Sequence, residues 1–136
     1  MSVGPVPLGL LDTSVFIAAE YARPLRVEAL PQRVATSIVT VAELRAGILA
    51  ASDVATRDHR LTTFERILGT MVLPIDDSVA RVWAGMRAYL AASDRAASIN
   101  DVWIAATAAA HEIPVVTQDR DFHALSGVGG LTVIEV

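Results

Sequence analysis

"LGLLDTSVFIAAE", residues 8–20, decides the fold. Leu8 to Leu11 form a mostly apolar run too short for a helix and right for a buried strand. Asp12, Thr13 and Ser14 then supply turn chemistry, and the apolar residues beyond them fall at helical spacing. The stretch reads as strand, turn, helix. The plan recurs at "RVATSIVTVAELRAGILAA" (33–51), with a strand-like Val34 to Ser37 and a helix from about Thr40. Short apolar strands alternating with helices build a mostly parallel sheet covered on both faces, an α/β fold.

Working outward, Arg57 to Leu68 is an amphipathic helix with Leu61, Phe64, Ile67 and Leu68 on one side. "MVLPID" (71–76) reads as a strand. Residues 77–92 are helical, with Val79, Val82, Trp83, Met86 and Leu90 at core spacing. Asn100 to His111 is a fifth helix, dense in alanine, and "IPVVTQD" (113–119) and "LTVIEV" (131–136) are two more strands. No repeat, linker or low-complexity tract interrupts the chain, so residues 1–136 are expected to form one domain.

The 136 residues include 15 acids and 11 basic residues, all of the latter arginine, for a net charge of −4. Without lysine the chain has no Walker-type phosphate loop, no Schiff-base chemistry and no Ser–Lys catalysis. Cysteine is absent too, which excludes disulfides and thiolate metal sites and fits a cytoplasmic location. The mean hydropathy is high at +0.47, yet charges break every apolar run well short of a membrane span. Met1 to Leu11 carries no basic residue, so no secretory signal is expected. A pI near 5.2 argues against broad electrostatic binding to nucleic acid. That inference weakens if five carboxylates share one pocket, because ten acids then face 11 arginines elsewhere.

The acids do gather where a site belongs. Ligands of parallel sheets bind beyond the carboxyl ends of the strands. Asp12 ends the first strand and Asp119 the fourth, while Glu43 and Asp101 open helices. Each has a local explanation. Asp12 suits an Asx turn, and "TVAE" (40–43) is a capping box in which Thr40 caps the helix and Glu43 reaches back to it. Asn100 can cap the helix that Asp101 opens, and Asp119 and Asp121 read as turn formers. Asp101, however, shares its helical face with Ile104, Ala105 and Ala108. The dipole of its helix offers ~0.3–1 kcal/mol, against several kcal/mol for desolvating an unpaired charge. Converging carboxylates repel unless a cation neutralises them, and an all-oxygen pocket selects hard Mg²⁺ or Mn²⁺.

"LLDTSVFI", "TVAELRAG", "INDVWIAATA" and "VTQDRDF" occur in an order and at intervals that resemble the PIN-domain ribonucleases, specifically the VapC toxins of prokaryotic VapBC toxin–antitoxin modules. The resemblance covers essentially the whole chain. It implies a three-layer α/β/α fold around a mostly parallel sheet of four to five strands. It further implies an endoribonuclease dependent on Mg²⁺, for which Mn²⁺ can substitute, whose products carry a 5′-phosphate and a 3′-hydroxyl. By motif, the catalytic metal ligands would be Asp12, Glu43, Asp101 and Asp119, with Asp121 in reserve. Ser14, Thr117 and Asn100 would support them, and Arg45 or Arg120 could meet phosphate. Trp103 departs from the smaller aliphatic residue usual at its position. The partners implied are a VapB-type antitoxin, an RNA substrate and a second copy in a homodimer, with no membrane. His59, His111 and His123 lie outside the four motifs and read as structural or surface groups. A phosphatase of the haloacid-dehalogenase type would need a second aspartate at position 14 and a lysine (occasionally arginine) near its third motif, and it fits poorly. A phosphorylated receiver domain fails on the missing lysine. The remaining alternative is a non-catalytic PIN-like protein that binds RNA or an antitoxin.

Overall fold

The computed structural model describes residues 5–136, so the expectation about an N-terminal signal falls partly outside it, on residues 1–4. Five strands, β1 (Leu8–Leu11), β2 (Arg33–Ser37), β3 (Met71–Leu73), β4 (Val115–Thr117) and β5 (Val133–Glu135), form one sheet in the order β3-β2-β1-β4-β5. Every pairing is parallel. Five helices connect them: α1 (Thr13–Glu20), α2 (Ile38–Ala50), α3 (Val54–Leu68), α4 (Asp77–Ser93) and α5 (Ile99–Ala110). None is long and apolar enough to cross a membrane among the described residues.

The alternation of side chains along each strand sorts the core into layers. Leu10, Ala35, Leu73 and Val115 point to one face and pack under α4 and α5. Leu11, Val34, Val116 and Ile134 point to the other, under Val15 and Phe16 of α1 and the Leu25–Leu30 segment. Helices α2 and α3 close against each other through Val41, Leu44, Phe64 and Ile67, with Phe16 joining them to the second face. The result is α/β/α. Gly9 is required at its position, because a Cβ there would stand 3.0 Å from Val116 Cγ2 and 3.1 Å from Pro31 Cγ.

Strand order explains where a site must open. The chain leaves β1 toward β2 and β3, then returns to β4 on the other side of β1. Connections after β1 and β4 therefore diverge, leaving a crevice between those two strand ends. Asp12 and Thr117 stand at that crevice, and the Asp12 amide donates to the Val116 carbonyl at 2.9 Å.

Helix starts differ from expectation in three places, one being α3, which begins at Val54 rather than Arg57 because Asp53 Oδ1 caps it by accepting from the Thr56 amide at 2.8 Å. Helix α2 begins at Ile38, with Ser37 rather than Thr40 as its cap: Ser37 Oγ accepts from the Val39 amide at 3.0 Å. Helix α5 begins at Ile99, and Ser98 rather than Asn100 caps it, Ser98 Oγ accepting from the Asp101 amide at 3.1 Å. Thr40 is freed from capping and is fully buried.

The alanines of α5 do bring it close to its neighbours. Ala105, Ala106 and Ala108 are completely buried between the sheet and the flanking helices. Trp103 finds its place in the contact with α4, stacked on Trp83 with ring centroids 4.6 Å apart and planes 12° from parallel. Arg87 lies 5.9 Å over the Trp83 ring. Trp103→Ala should lower the thermal midpoint by roughly 6–8 °C, because losing a half-buried stacked ring costs about 2 kcal/mol. Calorimetry or circular dichroism measures it; an unchanged midpoint means that the stack carries no stability.

Candidate metal centre

Asp12 is 3% exposed and held from three directions. Its Oδ1 accepts from the Ser14 amide at 2.7 Å, so it caps α1. Its Oδ2 accepts from the Ser14 hydroxyl at 2.7 Å and from the Thr117 hydroxyl. Both hydroxyls are in turn fixed by backbone: the Gln118 amide donates to Ser14 Oγ at 2.9 Å, and the Asp119 amide to Thr117 Oγ1 at 2.8 Å. The ends of β1 and β4 are thereby tied through one carboxylate. Burial nevertheless pushes the Asp12 pKa up, against the Thr117 and Ser14 hydrogen bonds, and the Asp119 charge adds to the rise.

Glu43 sits one turn into α2 and is half-buried. The Thr13 hydroxyl donates to Glu43 Oε1 at 2.7 Å and lies 3.0 Å from the Thr40 hydroxyl. Glu43 is therefore not the second half of a capping box; it is held across the crevice by the first residue of α1. Sequence reasoning missed Thr13, since nothing local distinguishes it from an ordinary turn threonine. Thr13→Val keeps the shape but leaves Glu43 free to turn, and cation affinity should drop about 10- to 100-fold, the usual cost of losing a group that orients a ligand. Mn²⁺ titration calorimetry measures this; unchanged affinity would dismiss the contact.

Asp101, in the first turn of α5, meets Asp119 and Asp121, which belong to the 3₁₀ segment after β4. One carboxylate oxygen from each of the three lies within 4.8 Å of the other two. Asp119 Oδ1 also accepts from the Asp121 amide at 2.9 Å, which sets the pair side by side. Asp119 and Asp121 both flank Asp101. Burial raises the Asp101 pKa to about 6, opposed by a Ser98 hydrogen bond and reinforced by the charges of Asp12, Asp119 and Glu43. The acids from all four motifs therefore feel one another.

Arginine does not relieve them. Among the described residues, the ion pairs involve none of the five acids. Arg45 leaves the side of α2 opposite Glu43 and spreads over the Phe64 ring, 4.8 Å from its centroid. Arg120 is exposed, with Nε 3.8 Å from Glu135 Oε1. Asn100 is exposed and caps nothing. Two of the histidines have partners elsewhere: His111 Nδ1 is 2.9 Å from the Thr107 carbonyl, and His123 Nε2 is 3.1 Å from Glu135, while His59 lines a space with Glu20, Tyr21 and Thr56.

The donor set fits a hard divalent cation. Oxygens sharing one Mg²⁺ at about 2.1 Å lie within roughly 4.2 Å of one another, close to the spacing seen here. Zinc, which favours nitrogen and sulfur, has no such donors in the cluster. Fold and donor set together define a class: a parallel α/β protein with a cluster of carboxylates that could hold a cation at the switch point of its sheet.

The chain belongs to the PIN domain family, which matches residues 9–128. It is 51% identical to Ribonuclease VapC5 of Mycobacterium tuberculosis over 136 residues, all of both chains. It is 41% identical to Ribonuclease VapC4 of the same organism over 126 residues, 91% of this chain and 95% of that one. A crystal structure of VapBC-5, a member of the VapBC family of toxin–antitoxin systems from M. tuberculosis, superposes with a TM-score of 0.90 and 49% identity. That match covers 96% of this chain and 99% of the other.

Proposed function

We propose that this chain is a Mg²⁺-dependent endoribonuclease, with Mn²⁺ able to substitute, and that it serves as the toxin of a toxin–antitoxin pair. Relatives named ribonucleases, with matching structures from VapBC systems, support the activity and a VapB-type antitoxin as partner. The observation that carries the reading is the convergence of Asp101, Asp119 and Asp121 beside Asp12 and Glu43, with no basic side chain among the described residues paired to them. Exposed Leu49, Val54, Leu68 and Met71 offer apolar surface to a second copy or to the antitoxin. The cysteine-free composition suits a cytoplasmic setting.

Asp12, Glu43, Asp101 and Asp119 would hold the cation, with Asp121, whose carboxylate stands beside those of Asp101 and Asp119, in reserve. When bound, the cation lowers the pKa of an attacking water and neutralises charge on the phosphoryl oxygens. The chain's own contribution is preorganisation. Ser14 and Thr117 fix Asp12, and Thr13 fixes Glu43, so the acids need not reorganise when substrate arrives. His111 and His123 are engaged with Thr107 and Glu135, away from the acids, and among the described residues the clustered groups that could accept a proton at the site are carboxylates.

The test uses protein freed of antitoxin, structured RNA, and Mg²⁺ or Mn²⁺. Cleavage to 5′-phosphate products is expected, lost with EDTA and regained on adding back metal. Undiminished cleavage in EDTA, or by Asp12→Asn protein, would sink the reading.

A further inference from the structure

A cleft of about 320 Å³ opens beside the acids, between α1 and the α2–α3 pair. Thr13 and Glu43 line it as well as belonging to the candidate metal centre, so the cleft adjoins the acids. Its walls further include Ile17, Glu20, Tyr21 and Arg60. Glu20 Oε1 is buried without a hydrogen-bond partner, an arrangement that is costly until a donor arrives. Tyr21, at the end of α1, is 61% exposed and presents its ring at the rim. Arg60 donates one N–H to the Gly47 carbonyl and keeps further donors for the cleft.

We propose that this cleft is a guanine-reading subsite for the nucleotide beside the cut, with Glu20 as the residue that selects the base. The inference rests on the ribonuclease reading and deepens it. A strand whose phosphate reaches the acids has its neighbouring base within reach of a space that shares Glu43 and Thr13. A carboxylate only accepts hydrogen bonds, and two oxygens on one group ask for two adjacent donors. Among the four RNA bases, guanine alone presents adjacent donors, N1–H and N2–H, on its pairing edge. Adenine pairs one donor with one acceptor there, cytosine has one donor beside two acceptors, and uracil has a single donor between two acceptors. Guanine O6, next along that edge, takes a donor from Arg60. Tyr21 supplies the stacking face that unpaired bases seek on proteins. The acidic floor disfavours a phosphate in the same space, which places the base there and the backbone outside.

The test places a single guanosine in an oligouridine strand and maps cuts made with Mn²⁺ by antitoxin-free protein. Cutting is expected at one fixed offset from the guanosine, about 10- to 100-fold faster than in the strand carrying adenosine there. Inosine, which lacks the 2-amino group, should lose about 10-fold without any change to the protein. Glu20→Gln offers one acceptor and one donor, the match for adenine, so the guanosine-to-adenosine ratio should fall to unity or invert. Tyr21→Ala should weaken every strand together, leaving the ratio intact.

Cuts scattered without regard to guanosine, or equal rates for guanosine and inosine, overturn the subsite while leaving the ribonuclease reading standing. Ratios unchanged in Glu20→Gln, with weaker retention of a co-expressed antitoxin, would assign the cleft to protein binding and also overturn it. If no strand is cut, fluorescence anisotropy of the same strands decides. Preferential binding of guanosine would uphold the subsite and reject the nuclease, and equal binding would reject the subsite.

Discussion

Asp101→Asn protein will cut RNA on the order of 10³-fold more slowly than the unaltered chain, and without metal it will be the more heat-resistant of the two. Under the proposed function, the first effect follows from removing a charged ligand of the cation, an interaction worth several kcal/mol at about 1.4 kcal/mol per tenfold in rate. The second runs against the usual direction of active-site damage. Asp101 is half-buried, and three other carboxylate charges act on it. An amide of the same shape escapes both the desolvation and the repulsion, giving up only the modest favour of the helix start. Midpoints in EDTA at pH 7.5 and single-turnover cleavage in Mn²⁺ read the two effects. A destabilised variant would mean that Asp101 is compensated within the chain and needs no cation.

The second large effect is a cation-dependent stability that fades with acid. Asp101 has its pKa raised from 3.8 to about 6, so the folded chain holds that proton more tightly than the unfolded chain does. Its contribution to stability is complete below pH 3.8 and is lost as pH rises through about 6. At pH 7.5 the metal-free protein therefore carries the full repulsion, and Mn²⁺ at 100 times its Kd should stabilise it by about 2.7 kcal/mol. That corresponds to a midpoint gain of roughly 8–10 °C. At pH 5 the proton occupies Asp101 and competes with the cation, and most of the gain should vanish. Thermal shifts with and without Mn²⁺ across this range provide the measurement. A gain that is constant with pH would mean that the cation binds away from Asp101.

Much of this architecture is written locally. The strand, turn and helix of residues 8–20 follow from an apolar run, three turn formers and a change of period, and β1 and α1 occupy that stretch. The start of α2 is less legible, because Ile38 and Val39 are β-branched and weak signals of a first helical turn, which hides Ser37 as the cap. Ser98 and Asn100 are both good caps, and only the distance from Ser98 Oγ to the Asp101 amide separates them. The acids stand out because carboxylates that end strands or open the helices after them recur in four separate stretches of the chain. Their supports do not. Thr13 meets Glu43 only because β1 and β2 run side by side, bringing residues 30 apart in sequence into contact. Asp121 looked like a spare, since its nearness to Asp101 depends on how the 3₁₀ turn after β4 folds back.

The stacked indoles give the protein its own optical gauge. Trp83 and Trp103 are the only two tryptophans, so all of the indole emission comes from one face-to-face pair. Trp103 rides on α5 two residues after Asp101, whereas Trp83 is fixed in α4. Any tilt of α5 as the carboxylates draw around a cation changes the overlap of the two rings, and with it their coupled excited states. Unlabelled protein thus carries a spectroscopic ruler next to its own site, and stopped-flow fluorescence can time cation entry separately from RNA cleavage.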